Sequence, residues 1–207
     1  MASGDPSFER LLKELRPNLA KQGFRRTGQN FVIESDQCRG IINFQKTLYR
    51  TAGQTEFTVN VAVASKRLLR LYGQRQDKPP RHYDCHWEVR IGHFMPDHRD
   101  KWWTLSDEAS YRTAISDLDE MLATKVLPLL KRHLSERELL ALWDWSVGGF
   151  EYPMLKHKSV LLAEQGRMEE LPAIFKRIRE ICLGGAAEAG AEQHIREVQQ
   201  RFCVRVQ

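Results

Sequence analysis

The chain predicts an α+β fold: a four-stranded antiparallel sheet with two main helices on one face, followed by a C-terminal helical appendage. Three observations carry this expectation. Segments of alternating polarity, rich in β-branched and aromatic residues, cluster between positions 24 and 94. Apolar residues recur at helical spacing before and after them, and beyond residue 133 the spacing is helical only. The connections between the alternating segments are mostly too short for crossover helices, which selects antiparallel pairing. With 42% hydrophobic and 29% charged residues among 207, the chain has enough apolar material for a packed core. The expected division is a sheet domain over residues 1–133 and a C-terminal helical region over 134–207 packed on it.

Residues 7–22, SFERLLKELRPNLAKQ, place Phe8, Leu11, Leu12, Leu15 and Leu19 on one helical stripe. Ser7 suits the N-cap and Gly23 the position just past the last turn, while Pro17 should kink or divide the helix. FRRTGQNFVIES reads as the first strand, entered through a Gly-containing turn. The next two strands are 40–49 and 55–65, joined by Thr-Ala-Gly-Gln. A Lys/Arg/Pro-containing excursion over 66–81 precedes the fourth strand, in HYDCHWEVRIGHF. Residues 107–133 form the longest expected helix, with a stripe of Tyr111, Ile115, Leu118, Leu122, Val126 and Leu130. Ser106 and Ala109 do not complete a capping box there, although Asp107 and Glu108 suit a helix start. After Gly148-Gly149 come two antiparallel helices joined at 164–167, a small-residue linker (184–190) and a last helix over about 191–202. The pair echoes a helical-repeat hairpin, but one unit does not make a repeat protein.

Alternation assigns the sheet faces. Ile42, Phe44 and Leu48 oppose Asn43, Gln45, Thr47 and Tyr49; Phe57, Val59, Val61 and Val63 oppose Thr58, Asn60 and Ala62; Cys85, Trp87, Val89 and Ile91 oppose His86, Glu88 and Arg90. One face is therefore apolar, and the other carries Asn43, Gln45, Asn60, His86, Glu88 and Arg90 as candidate binding residues. Three readings of that face stay open. It is the solvated side of a half-covered sheet, or a polar groove in which Arg90 holds a carboxylate or phosphate, or a buried amide network.

The second candidate surface is the basic segment, with Lys66, Arg67, Arg70, Arg75, Lys78 and Arg81 against a single acid, Asp77. Its +5 equals the net charge of the whole chain, so the rest sums to zero. Leu68, Leu69, Leu71 and Tyr72 among these bases suit a short amphipathic helix docking on an acidic partner or on phosphates. The blander reading is a solvated insertion whose leucines pack back on the sheet.

Other chemistries are weaker. His82 and His86 on one strand would stand about 13 Å apart, too far for one ion. His93, His98, Asp97 and Asp100 are a better-placed cluster, which a solvated turn explains equally well. No G-x-S-x-G, Walker-type loop or G-x-G-x-x-G occurs, and neither cofactor, metal nor catalytic residue is expected. Alternation puts Cys85 on the apolar face, and Cys38 reads as an exposed thiol near a turn. No apolar run is long enough for a membrane span, the first residues lack a secretory apolar region, and Cys38, Cys85, Cys182 and Cys203 show no C-x-x-C spacing. Reduced thiols in a cytoplasm fit best.

GFRRTGQNFVIE, INFQK, FTVNVAVAS, the leading amphipathic helix and the Trp102-Trp103 pair together resemble a bacterial domain-of-unknown-function family, number 4304 (DUF4304), over residues 7–133. The resemblance implies an α+β domain and brings no activity or catalytic residues; the excursion at 66–81 and the C-terminal helices depart from it. The expected function is a non-enzymatic protein-binding module of the immunity or regulator type, acting through the polar sheet face or the basic segment. The alternatives are a small-molecule-binding or hydrolytic enzyme using His86, Glu88 and Arg90, and weak nucleic-acid contact through 66–81.

Overall fold

A computed structural model describes residues 6–47, 53–74, 77–145 and 151–203. Leu48, Tyr49, Arg75, Gly148 and Gly149 lie outside the described residues. The chain divides into two compact units, Met1–Ser135 and Glu136–Gln207.

The first unit is α+β. Helix α1 (Pro6–Lys21) runs through Pro17 as one element and buries Phe8, Leu11, Leu12, Leu15 and Leu19. Gly23 ends it at φ +93, where Gly23 and Phe24 donate to the carbonyls of Ala20 and Leu19. The sheet has six strands among the described residues, where four were expected. They are β1 (Arg25–Thr27), β2 (Asn30–Glu34), β3 (Cys38–Lys46), β4 (Thr55–Ser65), β5 (Trp87–Arg90) and β6 (Trp103–Leu105). The order is β1-β2-β3-β4-β5, all antiparallel, with β6 pairing the first residues of β4 while β5 pairs its later ones. The two additions have local causes. FRRTGQNFVIE folds back at Gly28 into a hairpin instead of one strand, and β4, at 11 residues, is long enough to accept two short partners on one edge.

The apolar face meets the helices. Phe8 packs edge-on against Phe57, Phe57 stacks on Trp103, and Phe31 packs against Phe44. Helix α3 (Glu108–Met121) passes through a π turn, Leu122–Val126, into α4 (Leu127–Arg132). Pro128, with no N–H to donate, sits just past that turn. The α3 start is a capping box after all. Asp107 is the N-cap and accepts from the Ser110 N–H, and the Ser110 hydroxyl takes the Asp107 N–H. The serine at N3 replaces the acid or glutamine that the motif usually shows.

The second unit is helical: α5 (Glu136–Trp145), α6 (Glu151–Glu164), α7 (Leu171–Cys182) and α8 (Glu188–Phe202). Its core includes Leu155, Leu161, Leu162, Phe175, Ile178 and Ile195. Ser159 and His194 lie in that core, with the Ser159 hydroxyl 2.9 Å from His194 Nε2 and 2.8 Å from the Lys156 carbonyl. No helix among the described residues is long and apolar enough to cross a membrane.

Candidate functional site

The strand register builds the candidate polar face row by row. Asn30, Asn43, Asn60 and Arg90 stand side by side across β2, β3, β4 and β5; the next row is Val32, Ile41, Ala62 and Glu88, and the next Glu34, Arg39 and Ala64. Asn60 Nδ2 donates to Asn43 Oδ1 (3.0 Å) and to Gln45 Oε1 (2.8 Å), and Asn43 Nδ2 donates to Asn30 Oδ1 (2.7 Å). The side-chain dipoles thus run in one direction across three strands. Asn60 is 1% exposed and Asn43 8%. A solvated face does not describe β3 and β4. Here the amides satisfy one another, as burial requires.

Irregular segments cover this side of the sheet. Arg39 Nη1 donates to the Lys78 carbonyl (3.0 Å), drawing the chain after residue 77 across one end. The Thr58 hydroxyl donates to the Lys101 carbonyl (2.7 Å), drawing the loop after residue 95 across the other. Between them Cys85 packs on a small apolar cluster of Val32, Ile41 and Ala62. This corrects its expected place on the opposite face. Residues 82–84 form a 3-10 turn, so alternation is broken before β5 begins. Cys38 is likewise buried, with its N–H held by the Ser35 hydroxyl at 2.9 Å.

The three groups with the most chemical potential have their polar atoms engaged. His86 is 7% exposed, and its Nδ1 accepts the Ser65 N–H at 2.9 Å, so that lone pair is not available as a base or ligand. Glu88 pairs with His82 Nδ1. Arg90 leaves the asparagine row for Asp100 and lies 5.4 Å over the Trp102 ring, whose Nε1 donates to the same carboxylate. Burial, then the charges of Glu88 and Asp84, push the Cys85 thiol well up, the reverse of what a nucleophilic cysteine needs. Among the described residues no group of three or more His, Cys, Asp or Glu could hold a metal ion. His93 and His98 stand with their rings 5.3 Å apart, and His98 Nδ1 bonds the His93 carbonyl.

The ladder makes a direct prediction. Asn60→Ala leaves Asn43 Oδ1 and Gln45 Oε1 without their donor, and should lower stability by about 2 kcal/mol. Urea unfolding followed by tryptophan fluorescence would measure it. A change below about 0.5 kcal/mol would mean that water replaces the lost donor.

The basic segment is ordered by a carboxylate beneath it. Helix α2 (Lys66–Leu71) is capped by the Ser65 hydroxyl, which accepts from the Leu68 N–H, and it buries Leu68 and Leu69. Glu34 contacts Lys66 Nζ at 3.0 Å and Arg39 Nε at 3.3 Å, and Lys66 Nζ also donates to the Ser35 carbonyl. Since Arg39 in turn holds Lys78, one carboxylate ties α2 to the returning chain. Its pKa is lowered: burial acts upward, but the Lys66 hydrogen bond and the Arg39 and Lys66 charges outweigh it. Arg67 is half-buried; Arg70, Lys78 and Arg81 are exposed. Arg81 lies over the Tyr83 ring and donates to its hydroxyl. Tyr83, at 58% exposed, and Tyr72, at 39%, face solvent. Sequence reading had Tyr72 in this surface but missed Tyr83, which HYDCH concealed as a strand residue.

A separate cleft of ≈ 400 Å3 lies between α1 and the helix through the π turn, floored by Leu15, Leu19, Leu122 and Leu127 and rimmed by Asn18 and Gln22.

A family model described as domain of unknown function (DUF4304) matches residues 15–132, more than half of the chain. No curated protein and no solved structure matches it.

Proposed function

The chain belongs to the DUF4304 family, and from that premise we propose that its first unit is a non-enzymatic protein-binding module, acting through the surface formed by α2 and residues 78–83. The observation that carries this reading is the position of the exposed aromatics. Of the three large apolar side chains exposed among the described residues, one, Tyr72, sits in the most basic segment of the chain, and a second, Tyr83, lies two residues past its end with Arg81 over its ring. Tyrosine and arginine are the residue types that dominate binding energy at protein interfaces, and here they stand on a framework already fixed by Glu34 and Arg39. The amide face serves as support under this reading, since its Asn60 amide hydrogens, His86 Nδ1 and Glu88 are engaged within the fold. An immunity- or regulator-type protein, which acts by occupying another protein, fits such a surface. Four cysteines that are all free fit a reducing compartment such as the cytoplasm.

The test uses the full chain as bait against native extract, beside a variant carrying Arg70→Glu and Arg81→Glu. A protein identified by mass spectrometry, retained by the intact chain and lost by the variant, is the expected result. A partner retained equally by both would move the binding site away from this surface. Enrichment of nothing by either bait would remove the binding reading.

A further inference from the structure

We infer that the segment this surface takes from its partner is acidic: a run of Asp and Glu side chains with an apolar residue among them. The inference rests on the protein-binding reading above and adds the chemistry of the partner.

The argument is one of unmatched charge. Several exposed arginines of this chain meet carboxylates: Arg10 with Glu108, Arg25 with Glu34, Arg90 with Asp100, Arg177 with Glu151, Arg179 with Glu192; Arg16, Arg137 and Arg196, on three different helices, have none within ion-pair distance. Arg70 and Lys78 are unmatched within one short segment. Both are exposed, and among the described residues no carboxylate stands within ion-pair distance of either. Arg81 is bound to the Tyr83 hydroxyl; the Asp84 charge acts on it but is not in ion-pair contact. Three cations on one tied surface, with no internal counter-charge in contact, set up a positive potential that a carboxylate-bearing segment complements. The tyrosines add what ions alone lack. Tyr83 offers a ring face with Arg81 already laid over it, which suits an aliphatic or aromatic side chain of the partner.

A protein segment is favoured over nucleic acid by the extent of the charge. The first unit owes five of its six excess positive charges to one stretch of 16 residues (66–81), and Lys66 within it is consumed by Glu34. A nucleic-acid footprint is ordinarily a broader stripe of unpaired bases. A short acidic segment needs only a few charges and a place for its apolar residue.

The experiment is fluorescence anisotropy on the full chain with three labelled probes. One is a 12-residue peptide of glutamates with a central Leu-Phe, one is the same peptide with every Glu replaced by Gln, and one is a 12-nucleotide single-stranded DNA. The expected result is binding of the Glu peptide at least about tenfold tighter than the Gln peptide, equivalent to about 1.4 kcal/mol. The preference should be lost in Arg70→Glu/Arg81→Glu, and Tyr83→Ala should weaken binding while leaving the salt dependence unchanged. Far-UV circular dichroism would first show that the variants are folded. Equal binding of the Glu and Gln peptides, or a Glu preference that survives the double substitution, would overturn the inference. Tighter binding of the DNA than of the Glu peptide would overturn it in favour of nucleic acid. Failure here together with a partner still lost by the double variant in the extract experiment would leave the binding module standing and remove only its acidic ligand.

Discussion

Acidification should open the helical unit before it touches the sheet. His194 is buried against Ser159, and burial, followed by the Lys156 charge, lowers its pKa to about 4. Only Glu197 and a hydrogen bond to the Lys156 backbone act upward. His157, stacked on Trp143, is also lowered to about 4 by burial, then by Lys156 and His194. In the unfolded chain a histidine titrates near 6.5. The folded pKa is therefore depressed, the unfolded state binds the proton more readily, and stability is fully present above about pH 6.5 and lost as the pH falls from there toward 4. The separation for His194 corresponds to about 3 kcal/mol; His157, lowered to the same value, acts in the same direction. Hydrogen exchange of the full chain, corrected for intrinsic rates, should show amides of α6 and α8 losing protection by about this amount between pH 7 and 4.5. Amides of β3 and β4 should change less, because Glu34 is depressed from a much lower starting value and its loss begins only near pH 4.5. His194→Gln, which keeps an amide at the Ser159 contact and does not titrate, should flatten the α8 profile. Unchanged protection of α8 across this range would show that the imidazole is not what limits the unit in acid.

That pair of histidines shows where sequence reading stops. His194 lies three residues after Ala191 and one before Ile195, on the stripe that Val198 continues, so its burial was legible from helical spacing. Its contact with Ser159, 35 positions earlier, follows from how α6 and α8 pack and has no local signal. The sheet behaves the same way. The faces of β3 and β4 follow from alternation, because the pleat has a period of two and Ile42, Phe44, Val59 and Val61 keep to it. That Asn43 would stand opposite Asn60, and Asn30 opposite Asn43, depends on the lengths of two connections, and register is invisible to composition. The covering of the amide face was illegible for another reason. It is made by segments with no periodicity, 77–86 and 95–102, held by scattered long-range contacts such as the hydrogen bonds from Arg39 and Thr58 to backbone carbonyls. The basic surface was the opposite case. Its charge and its leucines could be read directly, whereas the role of Glu34 beneath it needed Arg39 and Lys66 to be placed in space.

Gly92→Ala should be among the most damaging single-methyl changes in the first unit. Gly92 lies in the 3-10 turn Ile91–Phe94 that follows β5, and a Cβ there would stand 2.0 Å from the Arg99 carbonyl oxygen and 2.9 Å from the Lys101 nitrogen. Both neighbours are backbone, so no side-chain rotation relieves the clash, and the loop from Met95 to Trp102 must move as a body. That loop carries the Lys101 carbonyl that satisfies the buried Thr58 hydroxyl, and Asp100, which holds both Arg90 and the Trp102 indole. Displacing it strands a buried hydroxyl and uncovers the Thr58 end of the asparagine ladder, in addition to the steric cost. The combined loss should be at least about 3 kcal/mol, against about 1–2 kcal/mol for Thr58→Val, which removes the hydroxyl and leaves the loop where it is. Urea unfolding at pH 7.5 with tryptophan fluorescence would give both values, Trp87 and Trp103 being buried reporters in the same sheet. Hydrogen exchange should then show faster exchange around Thr58–Asn60 in β4 in Gly92→Ala than in Thr58→Val. A cost below about 1 kcal/mol for Gly92→Ala would mean that the loop yields freely, and that the cover over the amide face is a resting position rather than part of the fold.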